Sequence, residues 1–272
     1  MPSLFVAEFL VILGLGLLGA AAILPYAFSL AGDKLLKAKL PLPALALISF
    51  LQTVFLIALA SGLGLLAANS VGVGAPYIQA DLSGKLLPGS VLELLPLVLG
   101  LAAGTFAVMA LLERYVFAPH LPEALRNTDV NIPLWKRFLA SFYGGFDEEI
   151  LMRLFLVSGI VWILGRIWQT SSGIPANGAY WTAILLTAVL FGLGHLPATS
   201  AITPLTSVII LRAIVLNGIA GIAFGWLYWQ HGLEAAMLCH FSVDILLHVI
   251  APLFATGVQG GIKKTEAQPD PK

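Results

Sequence analysis

The longest constraint in this sequence is its first stretch, MPSLFVAEFLVILGLGLLGAAAILPYAF, which runs to Phe28 with Glu8 as its one charged side chain. About 20 mostly apolar residues suffice for one helix across a bilayer's hydrocarbon core. Backbone polar groups in lipid must be satisfied within the segment, so the run predicts a spanning helix. It exceeds the apolar core of a signal peptide and has no Lys or Arg before it, so it is expected to stay in the mature protein. Similar runs recur along the chain as far as about residue 255. Only 10% of the residues are charged and 59% are hydrophobic, against about 25% charged in a soluble domain. Mean hydropathy is +0.95. The expected fold is therefore an all-α polytopic transmembrane helix bundle.

Seven spans are expected, at about 4–29, 43–67, 91–112, 138–167, 180–197, 206–228 and 234–255. A broken or re-entrant piece around Pro76–Leu87 raises the count to eight. The fourth span is the unusual one, because its first half carries Asp147, Glu148, Glu149 and Arg153. The chain is expected to form one transmembrane domain over 1–258 and a short polar cytoplasmic tail over 259–272. With seven spans, ten basic residues fall on one side: Lys34, Lys37, Lys39, Arg114, Arg126, Lys136, Arg137, Lys263, Lys264 and Lys272. Lys85 and Arg166 fall on the other. Cytoplasmic loops carry the excess of Lys and Arg, so the C-terminus is expected inside the cell, in the plasma membrane. Trp162, Trp168, Trp181, Trp226 and Trp229 sit at expected outer ends and Trp135 at an inner end, where indole rings favour the headgroup level.

Zero net charge gives no reason to expect a nucleic-acid partner. Cys239 is the sole cysteine, so an internal disulfide is impossible. Gly100/Gly104 and Gly221/Gly225 have the spacing that lets membrane helices approach closely, and both are read as packing. Glu8 and Glu93 lie near expected outer ends, within reach of water.

Charged groups at mid-membrane cost several kcal/mol and mark function or pairing. Three spans carry them. In Glu148-Glu149-Ile-Leu-Met-Arg153, Glu149 and Arg153 are four apart and share a helix face. Glu148 points about 100° away, free for proton transfer. A structural ion pair near the cytoplasmic surface is the competing reading. In Phe191-Gly-Leu-Gly-His195, the glycines either open space beside the imidazole for a substrate backbone or permit tight packing. In His240-Phe-Ser-Val-Asp244, spacing again puts both side chains on one face, and an Asp there fixes a tautomer or favours the imidazolium. Asp244 is also four residues before His248. Two His, two Glu and an Asp in one bundle are also a metal-ligand set, although no His-Glu-x-x-His is present. If the spans converge, a carboxylate can activate water and imidazoles can polarise a carbonyl. Ser242 and Cys239 lie too close to His240 in sequence to face it on a helix.

In order and spacing, these three motifs resemble the CPBP intramembrane proteases, which include the type II CAAX prenyl endopeptidases. The matching motifs are Glu148-Glu149-x-x-x-Arg153, Phe191-x-x-x-His195 and His240-x-x-x-Asp244, within DEEILMRLFL, VLFGLGHLP and GLEAAMLCHFSVD, over roughly residues 140–250. The resemblance implies about eight helices around a cavity open to cytoplasm and lipid. Glu148 and His195 would activate water, and His240 with position 244 would stabilise the oxyanion. It implies a membrane-anchored or prenylated peptide substrate and a glutamate mechanism with no cofactor, a zinc protease on the same residues being the alternative. The best-studied branch has Asn at position 244. An ionised Asp244 cannot donate to an oxyanion, so it is either protonated or serves to orient His240. A non-enzymatic reading stays open: a proton- or ion-coupled transporter, or a bacteriocin-immunity scaffold.

Overall fold

The computed structural model describes residues 3–32, 39–126 and 132–254. Lys34, Lys37 and the tail expected at 259–272 lie outside the described residues. No β-strand occurs among the described residues, whose one β-bridge is isolated, between Gln169 and Pro175.

Helix α1 (Leu4–Ala22) starts at Ser3, whose side chain caps Val6 N–H, and bends at Ile23 into α2 (Leu24–Ala31), where Pro25 stands in the first turn. Proline there lacks only a donor that has no intrahelical partner anyway. Helix α3 (Leu42–Val71) ends at Gly72 in the left-handed region, φ 76°, and α4 (Pro76–Ser83) is a short helix after it. Helix α5 (Val91–Leu112) is capped by Ser90 and runs on through π and 3-10 turns to His120. A single turn, Glu123–Arg126, follows.

The next helix is continuous over 134–164 but not uniform. It comprises α6 (Leu134–Tyr143), π-type turns at Gly144–Glu148 and Ile150–Val157, and α7 (Ser158–Leu164). Then come α8 (Asn177–Gly194), α9 (Leu196–Ser200) and α10 (Ser207–His231), the last capped by the Thr206 hydroxyl. Gly232, at φ 92°, turns the chain directly into α11 (Leu233–Asp244), which continues as a π-type turn to Ile250. A side chain at that φ is strained, so glycine makes the reversal.

Among the described residues, six helical stretches are long and apolar enough to cross a membrane: Leu4–Ala31, Leu42–Val71, Leu92–His120, Asn177–Ser200, Ser207–His231 and Leu233–Phe254. Helix 134–164 is not among them, so length and composition support six spans among the described residues and do not by themselves reach the expected seven or eight. The reason is its charge density, since Asp147, Glu148, Glu149 and Arg153 fall within seven residues. The expected eighth piece is α4, whose eight residues rise only about 12 Å. Apolar side chains face outward, with Phe55 67% and Leu18 62% exposed. This is the surface of a protein whose solvent is lipid, and the chain is an integral membrane protein.

Small residues set the helix spacing. A Cβ on Gly16 would meet Ile57, one on Gly64 the Leu154 carbonyl, one on Gly221 the Ala188 Cα and one on Gly225 Ile184. Helices α8 and α10 therefore run antiparallel in close contact, as the Gly221/Gly225 spacing predicts. The Gly100/Gly104 expectation fails, because a Cβ at either position meets nothing within 4 Å. That face of α5 packs on no described residue.

Helix 134–164 is the centre of this arrangement. Lys136 Nζ donates to Ser29 Oγ at 2.8 Å beside the last turn of α2. Gly19 of α1 faces Asp147, Gly16 faces Ile150 and Gly64 of α3 faces Leu154. The helix ends near Gly165, where the chain turns back to α8 and Trp168 packs on Gly178. It thus runs the height of its neighbours. At that end Trp229 stacks on Tyr180 at 4.8 Å and meets Trp181 edge-on at 5.9 Å, an aromatic group of the kind expected at one membrane surface.

Candidate active site

The π-type turns place the site. A π-bulge adds a residue to a helical turn, re-aims the side chains around it, and occurs often at functional sites. Here one such turn takes in Asp147 and Glu148 and the next begins just after Glu149, and the three consecutive acids go to three different places.

Asp147 turns toward α1. It is wholly buried, neither oxygen has a hydrogen-bond partner, and Gly19 makes room for it.

Glu149 turns into the core, also wholly buried. Its Oε1 accepts from Arg153 Nη1 at 2.9 Å, the pairing expected from the spacing. The same oxygen lies 2.7 Å from His240 Nδ1. Arg153 is held further by the Gly221 carbonyl, 3.1 Å from Nη2, and by the rings of Phe191 and Phe224 at 5.2 and 5.3 Å. A buried guanidinium needs such partners, since an uncompensated buried charge costs several kcal/mol.

Glu148 takes the third direction. Its side chain is 23% exposed, makes no hydrogen bond among the described residues, and brings Oε2 to 3.6 Å from His240 Nε2. The expected division between a pairing and a free glutamate is the one observed.

His240 is buried and stacked on Phe224 at 4.5 Å. A carboxylate oxygen can only accept, so the 2.7 Å contact puts the Nδ1 proton on the bond to Glu149. That leaves Nε2 facing Glu148 and Asp244, whose Oδ1 stands 3.7 Å away, beyond hydrogen-bond distance. Asp244 therefore does not orient His240; Glu149 does. Spacing within one helix pointed to Asp244. The actual partner is 91 residues away, and no local signal reveals it.

Gly144 admits this grouping. A Cβ there would fall on Asp244 Oδ2 and lie 3.1 Å from His240 Nε2. On the next residue, Gly145, a Cβ would lie 3.1 Å from Phe241 Cβ. The Gly-Gly pair lets α11 lie directly against the site helix. Its place one residue before the acids, with only Phe146 between, was the available sequence signal.

His195 closes α8. Its Nδ1 is 2.8 Å from the Phe191 carbonyl oxygen, which can only accept, so the ring's Nε2 is left for other partners. Phe191 meets both imidazoles edge-on, at 4.8 Å for His195 and 5.7 Å for His240. One aromatic ring thus links the second motif to the third. The two glycines before His195 divide the alternatives: a Cβ on Gly192 would strike Ile214 and the Ala213 carbonyl, while one on Gly194 meets nothing. Gly192 serves packing and Gly194 leaves open space.

Other expectations resolve more simply. Ser242 Oγ donates to the Leu238 carbonyl at 2.7 Å and Cys239 is buried. Glu8 is not water-facing. It is 2% exposed, because α4 lies over it and Gln79 Nε2 donates to its Oε1 at 2.8 Å. Among the described residues, no three His, Cys, Asp or Glu side chains are grouped so as to hold a metal ion.

Three helices of the bundle thus contribute a partly exposed carboxylate, Glu148, and two imidazoles, His195 and His240, that meet the same Phe191 ring. Residues 130–246 match the family model described as Type II CAAX prenyl endopeptidase Rce1-like. The match runs from just before α6 through α11 and contains all three motifs. No curated protein and no solved structure matches the chain.

Proposed function

We propose that this protein is an intramembrane endopeptidase that cleaves a membrane-anchored protein or peptide near a prenylated C-terminus. The observation that carries the reading is the contrast between two adjacent glutamates: Glu149 is buried and doubly engaged, whereas Glu148 is partly exposed, unbonded and beside His240. A carboxylate kept free of partners next to an imidazole is suited to general-base work. Glu148 takes a proton from water, and the water oxygen attacks the peptide carbonyl carbon. His195, with Nε2 unencumbered, holds the attacking water in line. His240, anchored through Nδ1, donates from Nε2 to the oxyanion when protonated. The C–N bond then breaks, and the proton held by Glu148 passes to the leaving amine. Catalysis here rests on Glu148, His195 and His240, with Asp244 at the rim and Glu149 and Arg153 as their support, and uses no metal.

Helix 134–164 is read as the seventh span, its charges tolerated because they face the bundle interior. Seven spans put the ten basic residues on the cytoplasmic side, with the C-terminus inside and the protein in the cell membrane.

The test is purified protein in detergent with a panel of C-terminally farnesylated and unmodified peptides, read by mass spectrometry. Cleavage near the lipidated C-terminus is expected, with a loss of ~10²-fold or more for Glu148→Gln and for His195→Ala. Equal rates in parent and variants sink the mechanism. Proton-coupled flux in vesicles without peptide cleavage would instead point to a transporter.

A further inference from the structure

Near the middle of α10 sits an amide, Asn217, that the three motifs do not include. A polar side chain at that depth is costly unless it is satisfied or used. Asn217 Nδ2 donates to the Ala213 carbonyl at 2.9 Å. Its second N–H and its Oδ1 have no hydrogen-bond partner among the described residues, and Oδ1 is not sealed from accessible space.

That space is inside the bundle. On a helix, positions three and four residues away share a side chain's face, and positions one residue away flank that face on either side. Ala213, Leu216, Gly218, Ala220 and Gly221 are all buried, yet Asn217 is not. The lipid-facing side is marked by Leu211, 55% exposed and about 120° round the helix. Toward the start of α10, Ile214 and Ile210 on Asn217's side are half-buried as well, so the opening runs to that end.

The depth matches the site. One turn further along, the Gly221 carbonyl holds Arg153 at 3.1 Å, and Phe224 stacks on His240 at 4.5 Å. One turn back, Ala213 lies against Gly192, three residues before His195. Asn217 therefore lies between the levels of the two histidines, on the face of α10 turned toward both.

We propose that Asn217 belongs to the reaction site and hydrogen-bonds the substrate's peptide backbone, its free N–H going to the carbonyl oxygen under attack. This rests on the endopeptidase reading. The proposal supplies a donor that does not depend on the proton of Asp244: an ionised Asp accepts only, whereas an amide donates without adding negative charge beside a developing oxyanion.

The experiment measures kcat, KM and melting temperature with the farnesylated peptide for the parent, Asn217→Ala, Asn217→Ser, Asn217→Asp and Glu148→Gln. Removing an oxyanion donor costs ~10²-fold in kcat, and that loss is expected for Asn217→Ala with KM and melting temperature close to the parent's. Asn217→Ser keeps a donor and is expected to recover part of the rate. Asn217→Asp is expected to gain activity relative to the parent as pH falls, because only the protonated acid donates. Parent-like kcat in Asn217→Ala alongside an inactive Glu148→Gln overturns this inference and leaves the protease intact. Equal losses in the Ala and Ser variants, tracking a fall in melting temperature, overturn it as well. A parent that cleaves nothing removes the endopeptidase reading and this inference together.

Discussion

His240 is anchored by Glu149 and not by the aspartate on its own helix: Nδ1 lies 2.7 Å from Glu149 Oε1, while Nε2 stands 3.7 Å from Asp244 Oδ1. Glu149 also holds Arg153 through the same oxygen. One carboxylate therefore fixes both a cation and the imidazole, and the two adjacent glutamates are expected to fail in different ways. Glu149→Ala leaves Arg153 buried and unpaired, a change that costs about 3–5 kcal/mol, and is expected to lower the melting temperature sharply or prevent folding. Glu148→Gln removes no hydrogen bond and is expected to melt like the parent while losing turnover. Thermal melts of both variants beside the peptide assay check this. Equal stability in the two would mean that Glu149 is not the anchor.

Asp244 makes the complementary case. Because it does not bond His240, Asp244→Asn is expected to leave folding unchanged and to hold or raise the cleavage rate, since Asn adds a donor at the rim. An orienting aspartate would behave otherwise, its loss costing roughly 10²-fold or more. Steady-state kinetics of Asp244→Asn decide between the two, and a large fall in kcat would restore Asp244 as the orienter.

Much of this was legible in the sequence and some was not. The apolar runs located six spans because lipid imposes a length and a composition on each helix. Helix 134–164 escapes that rule, since the polar residues that make it useful also remove its apolar signature. The Glu149–Arg153 pair was readable because partners four apart meet on any helix. The Glu149–His240 bond was not, because it joins helices through tertiary packing alone. Glu8 was misread for the same reason: nothing near it in sequence shows that α4 folds over it. Asn217 went unremarked because one amide in an apolar helix carries no motif, and only the burial of its neighbours reveals the space it faces.

Gly144 is expected to tolerate no side chain. Its Cβ would fall on Asp244 Oδ2 and within 3.1 Å of His240 Nε2. Both neighbours are at the working end of the site, so the side chains that must move are the ones the reaction needs. Gly144→Ala is expected to cost about 1–3 kcal/mol of stability and ~10-fold or more in kcat. Gly194→Ala, where a Cβ meets nothing within 4 Å, is expected to leave folding and activity near the parent's. Parallel kinetics of the two variants test whether the space beside Gly144 is specific.

Asp147 is the site helix's unexplained acid. It is fully buried with neither oxygen bonded, and a buried polar group without a partner costs about 1–3 kcal/mol. Asp147→Leu, similar in length and apolar, is expected to raise the melting temperature. A lowered value would show that this carboxyl has a partner that matters to the fold, and Gly19→Ala, which presses on Asp147 Oδ2, would then be expected to lower it too.

The two glycine pairs give the last contrast. Sequence spacing treats Gly100/Gly104 and Gly221/Gly225 alike, and the packing separates them. A Cβ on Gly221 would lie 2.9 Å from the Ala188 Cα, which is backbone and cannot swing aside as a side-chain tip can. Gly221→Val therefore forces α8 and α10 apart. That displaces the Gly221 carbonyl from Arg153 and, through Phe191, both imidazoles. A loss of activity together with about 1–3 kcal/mol of stability is expected. Gly100 has open space around its Cβ, and alanine is better than glycine in a helix interior by about 1 kcal/mol. Gly100→Ala is thus expected to be neutral or slightly stabilising, with unchanged kinetics. The pair of variants also tests for a second copy of the chain on α5: if Gly100→Ala alters the size of the purified particle, that face packs against another subunit, and the spacing there serves assembly.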